Sequence, residues 1–193
     1  PEKSVTEFFP SIGSFVGSDI LAGIAATKMA DRDQYTVLID LGTNGEIVIG
    51  NRNRIICAST AAGPAFEGAK ISQGMRATTG AISSVLPGKN KFECHVIGNV
   101  KARGICGSGL IDIMSLLLHQ EKIGIFGEIN SGEDSVELTP GVFLTQQDIR
   151  EFQLAKAAIA AGLQILMKQL EITFEEIDKV FIAGGFGNFL NIQ

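Results

Sequence analysis

The sequence is poor in the residues that build disulfide frameworks and metal clusters. Its 193 residues include three cysteines and two histidines. Cys57, Cys94 and Cys106 form no Cys-x-x-Cys pair, and neither histidine belongs to a His-Glu-x-x-His pattern. A disulfide framework and a zinc site are therefore disfavoured, and we expect a reducing, cytoplasmic compartment.

The sequence also lacks a basic run and a long apolar run. Its formal net charge is −5 at pH 7, so nucleic acid is not an expected partner. Charged or amide side chains interrupt each apolar stretch before it reaches membrane-spanning length, so no membrane association is expected. Hydrophobic residues make up 45% and charged residues 19% of the chain, a balance that excludes disorder and predicts a buried core.

Glycine, in contrast, is abundant, and two glycine turns are the most informative features. Residues 38–45 and 181–188 each consist of an apolar strand that runs into a turn, where glycines let the backbone approach a ligand closely. The first turn also carries Asp40 at the point where its strand stops. Paired in space, the two turns would form two walls of a nucleotide site, one for phosphate and metal and one for base and ribose.

The hydrophobic pattern predicts an α/β fold. A helix over residues 17–30 is followed by a meander of three antiparallel strands, with a type I′ turn at Asn44 and Gly45. The remaining expected elements are strands at 81–86, 92–97 and 179–183, a helix at 107–118, a polar surface loop at 131–139 and a long capped helix reaching residue 170. Strands and helices do not alternate regularly along the chain, and this favours a mixed sheet covered by helices over a doubly wound fold.

Asp40 is the first candidate site residue, because a carboxylate at the end of an apolar strand is costly to bury without a partner. The backbone amides of Gly42, Thr43 and Asn44 could face phosphate oxygens, as a backbone nest does. A carboxylate repels phosphate, so Asp40 would act through Mg²⁺ or by orienting an attacking water. The alternative is a solvated aspartate beside an ordinary Asn-Gly hairpin.

The other candidates are weaker when taken alone. Gly184 and Gly185 could lie flat against an adenine with Asn188 near the ribose, but the Gly-x-Gly-x-x-Gly spacing is absent and an ordinary strand-to-helix turn is the alternative. Cys106 and Ser108 begin a predicted helix, where close packing or phosphate contact is favoured over covalent catalysis. Glu67, in the glycine-rich segment 61–68, is either an acid or ligand or part of a turn before a capped helix.

Four segments in one order narrow the interpretation. Residues 39–46, 61–68, 105–112 and 184–190 resemble the ATPase domain of reductive activators of corrinoid proteins, a branch of the actin-like, ribonuclease H-like (ASKHA) ATPases. The resemblance covers nearly the whole chain and implies an actin-like ATPase lobe. It implies a catalytic role for Asp40, which would also hold Mg²⁺ through water, and it implies nucleotide contacts from Gly42, Thr43, Asn44, Gly45, Gly184, Gly185, Gly187 and Asn188.

The same resemblance implies a function. In such activators an iron–sulfur domain delivers an electron to cobalamin in a partner, and the uphill reduction of cobalt(II) to cobalt(I) is coupled to ATP. The expected cofactors are therefore ATP and Mg²⁺, with an iron–sulfur cluster only in parts of the protein absent from this sequence. The expected partner is a corrinoid protein or a corrinoid-dependent methyltransferase, and a homodimer is a further expectation.

Two features expected of a complete activator of this kind are absent from the sequence. It lacks the first phosphate loop, of Asp-x-Gly-Thr type, and a cysteine cluster for an iron–sulfur centre. We therefore expect a fragment, with a connecting segment and helix over 1–34 and a C-terminal lobe over 35–193 that is truncated at both ends. ATP turnover would then require the full-length protein, and the isolated fragment would be inactive.

Two other classes of protein fit the same motifs. One is a different actin-like enzyme, either a small-molecule kinase or an activator of 2-hydroxyacyl-CoA dehydratases. The latter needs a cluster-binding cysteine at a subunit interface, for which Cys106 is the candidate. The other is a degenerate lobe that serves as a docking or dimerisation module.

Overall fold

The described part of the chain forms three sheets and four α-helices. A computed structural model describes residues 10–13, 16–42, 44–88, 92–185 and 190. The helices are α1 (Ser18–Thr27), α2 (Gly63–Phe66), α3 (Gly107–His119) and α4 (Gln146–Leu170). The strands are β1 (Tyr35–Leu41), β2 (Gly45–Gly50), β3 (Ile55–Thr60), β4 (Ala81–Pro87), β5 (Phe92–Val96), β6 (Gly104–Ile105), β7 (Ser135–Thr139), β8 (Val142–Thr145) and β9 (Ile177–Ala183).

The main sheet has four strands in the order β3-β2-β1-β9. The first three strands form the antiparallel meander that the sequence predicts, whereas β9 returns from the far end of the chain to pair in parallel with β1. The sheet is therefore mixed. This confirms the predicted α/β class, and it places the ends of β1 and β9 at the same edge of the sheet.

Helices cover both faces of this sheet, which explains why β1 is apolar almost throughout. Successive side chains of a strand point to opposite faces. Leu38 therefore packs with Ile20 and Met29 on the α1 side, while Val37 packs with Leu166 on the α4 side. Since α1 contributes to this core, it packs on the sheet directly; the predicted division between residues 34 and 35 stays a prediction.

The two smaller sheets surround a separate core. Strands β5, β4 and β6 form one sheet, and β7 pairs with β8 in a hairpin. Ile82, Ile113, Leu117, Leu144 and Ile149 are all fully buried in the cluster between these strands, α3 and the start of α4. None of the helices within the described ranges combines the length and the apolar character that a bilayer crossing requires.

Two sequence predictions about local structure are wrong. The polar segment 131–139 ends in a real strand, because Val136 and Leu138 point into the core and β8 supplies the hydrogen-bonding partner. The expected two-residue turn at Asn44 and Gly45 is also absent. Gly45 already pairs with Leu41, so three residues connect β1 to β2.

The start of α4 agrees with its predicted capping signature. The Thr145 hydroxyl accepts a hydrogen bond from the backbone N–H of Asp148 at 3.1 Å, and Asp148 Oδ2 accepts one from the N–H of Thr145 at 2.9 Å. This capping box satisfies two donors that the helix would otherwise leave without partners. By contrast, α1 begins after Gly17, and no side chain caps its first turn within the described residues.

Gly162 sets the distance between α4 and the meander. A Cβ atom at this position would lie 2.8 Å from Cγ2 of Thr60 and 2.9 Å from Cδ1 of Ile47, closer than real contacts allow. We expect Gly162→Val to lower the free energy of unfolding by about 1–3 kcal/mol through overpacking. Ala161→Val, at the exposed neighbouring position, should cost less than about 0.7 kcal/mol. Urea denaturation of both variants checks this, and equal stabilities would contradict the packing.

Candidate functional site

The two glycine turns predicted from the sequence lie side by side. In the parallel ladder Asp40 pairs with Ala183, so β1 and β9 end at the same level. Gly184, with φ of +97°, follows directly, and its backbone passes so close to β1 that a Cβ atom would lie 2.1 Å from the carbonyl oxygen of Leu41. Only glycine fits this combination of left-handed φ and close approach.

The turn after β1 differs from the sequence expectation in its hydrogen bonding. Gly42 donates its N–H to the carbonyl oxygen of Asn44 at 3.0 Å, which closes the turn. That amide is engaged within the turn and does not face outward as a phosphate donor. Gly42 nevertheless lines a cavity at this edge of the sheet. Three further predicted site residues, Thr43, Gly187 and Asn188, lie outside the described residues.

Asp40 sits in a negative environment. Its cross-strand neighbour on β2 is Glu46, whose Oε1 accepts a hydrogen bond from the Ser59 hydroxyl at 3.2 Å. Burial raises the pKa of Asp40 above its usual value of 3.8, and the charges of Asp19 and Glu46 raise that pKa further. In the described part of the chain no ion pair involves Asp40. The site therefore holds a carboxylate that has no positive partner among the described residues.

The described residues do not form a complete metal cage. Among them, no group of three or more His, Cys, Asp or Glu side chains is close enough to hold a metal ion. Mg²⁺ usually binds one or two carboxylates, keeps several waters and takes further ligands from substrate phosphates. A single carboxylate such as Asp40 is thus compatible with Mg²⁺ that arrives with a nucleotide.

A cavity of about 230 Å³ joins the two turns to other parts of the chain. Its described lining comprises Leu41, Gly42, Phe66, Glu67, Met75, Arg76, Ala77, Cys106, Gly107 and Gly185. The segment after α2, the start of α3 and both glycine turns therefore meet here. Glu67 and Cys106, which the sequence singles out without a definite role, both lie at this cavity.

Arg76 is a lining residue that the sequence pattern does not reveal. It follows Gly74 and Met75 in a segment without regular structure, and no spacing links it to the glycine turns. Its place at the cavity depends on contacts with residues distant in the chain. The nearest signal in the sequence is the glycine-rich segment 61–68, which lies shortly before it.

Ser108 and Gly109 have packing roles. The Ser108 hydroxyl donates to the carbonyl oxygen of Ser83 at 2.7 Å, and a Cβ atom at Gly109 would lie 2.2 Å from the carbonyl oxygen of Ile82. These contacts bring α3 close against β4, as the expectation of tight packing requires. Cys106 is only 2% exposed, and its Sγ lies 3.5 Å from the Ser108 hydroxyl oxygen.

A larger apolar groove, of about 480 Å³, lies between α3 and α4. Its described lining includes Phe152 and Lys156 but no acidic side chain and neither glycine turn. The groove therefore lacks the backbone approach and the carboxylate that characterise the edge of the main sheet, and the smaller cavity is the candidate site.

A mixed sheet has helices on both faces, and its parallel strands β1 and β9 end in glycine turns at one cavity. This arrangement agrees with the ASKHA class of actin-like proteins. Comparison with known families agrees. The family described as the C-terminal domain of RACo, the ASKHA domain, matches residues 34–193. The chain therefore belongs to this family.

Individual relatives support the same assignment. The corrinoid activation enzyme RamQ of Eubacterium limosum is 36% identical over 223 aligned residues, which include all of this chain and 36% of RamQ. The [Co(II) methylated amine-specific corrinoid protein] reductase of Methanosarcina barkeri is 31% identical over 206 residues, or 95% of this chain and 38% of that protein. The solved structure of a reductive activator for corrinoid, iron–sulfur protein is 38% identical with a TM-score of 0.83, and covers 95% of this chain and 33% of that one. The chain thus spans about a third of the length of these relatives.

Two substitutions distinguish the stability cost of a side chain at the close Gly184–Leu41 approach from the cost of the left-handed backbone conformation alone. Gly141 has a similar φ of +86°, but a Cβ atom there would have nothing within 4 Å. We expect Gly141→Ala to cost about 1–2 kcal/mol for the left-handed conformation alone. Gly184→Ala should cost about 1–3 kcal/mol more, because the added methyl group collides with β1. Chemical denaturation measures both, and similar losses would contradict the close approach.

Proposed function

We propose that this domain binds ATP together with Mg²⁺ in the cavity between its two glycine turns. The observation that carries the proposal is the parallel pairing of β1 with β9. It places Asp40 beside Ala183 and holds the Gly184 backbone against Leu41. Asp40 is not itself a lining residue, but the next residue of its strand, Leu41, lines the cavity, so the carboxylate lies next to it. Membership of the ASKHA family supports a nucleotide as the ligand.

Asp40 fits a role in binding the metal. It is half-buried, its pKa is raised by burial and by Asp19 and Glu46, and no cation neutralises it within the described residues. A divalent cation would remove this electrostatic cost, and it would partly neutralise the phosphate charge that Asp40 alone would repel. Asp40 would hold the ion through water, while phosphate oxygens supply further ligands.

The second wall fits a base and ribose. A Cβ atom at Gly185 would have nothing within 4 Å, and this residue lines the cavity, so the surface beside it is open. Gly184 is held rigidly behind it by the contact with Leu41. We assign Gly184 and Gly185 to the adenosine side, together with Gly187 and Asn188, and we assign the turn from Gly42 to Gly45 to the phosphate side.

In the complete protein, we propose, ATP drives the reductive activation of a corrinoid protein. One electron from an iron–sulfur centre outside this domain would reduce cobalt(II) to cobalt(I), and hydrolysis of ATP to ADP and phosphate would supply the free energy. The names of the relatives support this proposal, since they describe a corrinoid activation enzyme, a corrinoid protein reductase and a reductive activator. Nucleotide binding would act by shifting the populations of conformations that dock the partner.

The alternative actin-like functions have less support. An activator of 2-hydroxyacyl-CoA dehydratases would need Cys106 at a subunit interface, but this side chain is 2% exposed and faces Ser108. A small-molecule kinase has no relative among those described above. The remaining alternative, a docking module that binds no nucleotide, is tested by the experiment that follows.

The first test is Asp40→Asn. Because the proposed Mg²⁺ contact needs a charged oxygen, we expect the variant to lose magnesium-dependent ATP binding by at least about tenfold in calorimetric titration. In the full-length protein it should also abolish ATP-dependent formation of cobalt(I), followed by absorbance. Asp134→Asn, at an exposed position before β7, is the matched control. Wild-type protein that binds no ATP with Mg²⁺ would favour the docking module.

The same substitution has a second, opposite effect on stability. Like charges directly opposite on paired strands destabilise a sheet, so Asp40→Asn should raise the free energy of unfolding at pH 7 by about 0.2–1 kcal/mol. The pKa of Asp40 is raised in the folded state, so ionisation destabilises the fold as the pH rises from about 3.8 through that folded pKa. The gain should therefore vanish in acid, where Asp40 is protonated. Denaturation across this pH range, without nucleotide or metal, checks the sign.

A further inference from the structure

The cavity and its immediate surroundings carry more negative than positive side chains, which disfavours the negatively charged phosphates of a nucleotide. Glu67 lines the cavity, and Asp40 with its acidic neighbours Asp19 and Glu46 lies at the same edge of the sheet. Among the described lining residues, Arg76 is the single positively charged side chain. A phosphate chain in this setting requires a cation from the protein as well as any metal, since Mg²⁺ cancels only part of the charge of ATP.

The backbone that carries Arg76 is held in place by β6. Met75 donates its N–H to the carbonyl oxygen of Ile105 at 2.9 Å, and Ile105 donates to the carbonyl oxygen of Gln73 at 2.8 Å. Gly74 forms a parallel bridge with Ile105, and its backbone touches Gly68 so closely that a Cβ atom would lie 2.1 Å from the Gly68 carbonyl oxygen. The residue before Arg76 is therefore fixed although it belongs to no regular strand.

A buried carboxylate anchors the same segment from the other side. Asp148 is 1% exposed, and it accepts hydrogen bonds from the N–H of Ser72 at 2.6 Å and from the Ser72 hydroxyl at 2.7 Å. It also accepts the N–H of Thr145 in the capping box, at 2.9 Å. One carboxylate thus joins the start of α4 to the segment that leads into Arg76.

We propose that Arg76 binds the phosphate chain of the nucleotide, and that Asp148 is a positioning residue that holds the Ser72–Arg76 segment for this contact. The inference rests on the proposed function and deepens it. A guanidinium group matches phosphate oxygens with two parallel donors and stays charged at every relevant pH. Gly107, the first residue of α3, lines the same cavity, so the partial positive charge of that helix end adds to the attraction.

The test measures the affinities of the full-length wild-type protein and its variants for MgATP, MgADP and adenosine by calorimetry. Arg76→Gln should weaken MgATP and MgADP by about 10–100-fold, because a hydrogen bond to a charged group is lost, and should change adenosine affinity less than about twofold. Arg76→Lys should recover part of the loss, since it keeps the charge but not the fork. Arg54→Gln is the matched control, because Arg54 is exposed at the far end of the β2–β3 hairpin.

The positioning role is tested with Ser72→Ala, which leaves Asp148 its other donors. We expect this variant to weaken MgATP binding several-fold while adenosine binding changes little. It should also lower the free energy of unfolding, because a hydrogen bond to a buried carboxylate is lost. In the Arg76→Gln background Ser72→Ala should have no further effect on MgATP, because it acts through the arginine. An equal loss in both backgrounds would refute the positioning role.

The outcomes separate the two proposals. If the full-length wild-type protein binds neither MgATP nor MgADP, the proposed function fails. If it binds them and Arg76→Gln binds equally well, the proposed function stands and the role of Arg76 is refuted. Equal weakening of adenosine and MgATP by Arg76→Gln would also refute it, because that pattern indicates a general disturbance of the cavity.

Discussion

The candidate site depends on one long-range pairing, that of β9 with β1. The two strands lie at opposite ends of the described chain, and their parallel ladder runs from Tyr35 opposite Ile177 to Asp40 opposite Ala183. A parallel pair cannot be closed by a short turn, so everything between them must fold into a connection. The small sheets, α3 and α4 are part of that connection. The end of α2, the segment that follows it and the start of α3 supply the remaining described walls of the cavity. Fold and site are therefore fixed by the same contact.

The edge of the sheet is built at a cost to stability. Asp40 and Glu46 oppose each other directly, Asp19 adds a third negative charge, and Gly184 is in a conformation that other residues avoid. Such features persist where the surrounding structure over-determines them, and they concentrate at functional sites. Here the surrounding structure is the two-sided core, in which Val37, Leu38 and Ile47 are almost completely buried. The core holds a charge arrangement that the edge alone would not favour.

The sequence predicts those parts of the molecule that depend on local pattern. The apolar runs of the meander and the Thr145 capping signature are local, and both are confirmed. The strand β7 was missed because only Val136 and Leu138 are apolar in a polar stretch, and its pairing with β8 decides the structure. The Asn-Gly pair at 44–45 predicted a tight turn, but pairing of Gly45 with Leu41 overrides this local preference.

The same distinction applies to the site. Asp40 and the glycines stand out because each ends an apolar strand, which is visible in the sequence. Arg76 does not, because its position follows from contacts with Ile105 and with the Ser72–Asp148 pair, whose members are 76 residues apart in the chain. The position of Arg76 at the cavity is therefore visible only in the folded structure, where these segments lie close together.

The described walls of the cavity are held by backbone contacts within the protein itself. Gly184 rests on Leu41, Met75 bonds to Ile105, and Gly109 packs on Ile82. Ordering of loops consumes binding energy, so a site that is already formed keeps more of that energy for other purposes. Under the proposed function such a surplus matters, because a ligand can shift a conformational equilibrium only by its difference in affinity for the two states. Bound Mg²⁺ would supply the positive charge that Asp40 lacks among the described residues, so part of the affinity for the metal would come from relief of repulsion between Asp40, Asp19 and Glu46. Under the proposed function, binding energy that is not consumed by ordering the cavity is then available to shift the conformational equilibrium of the complete protein.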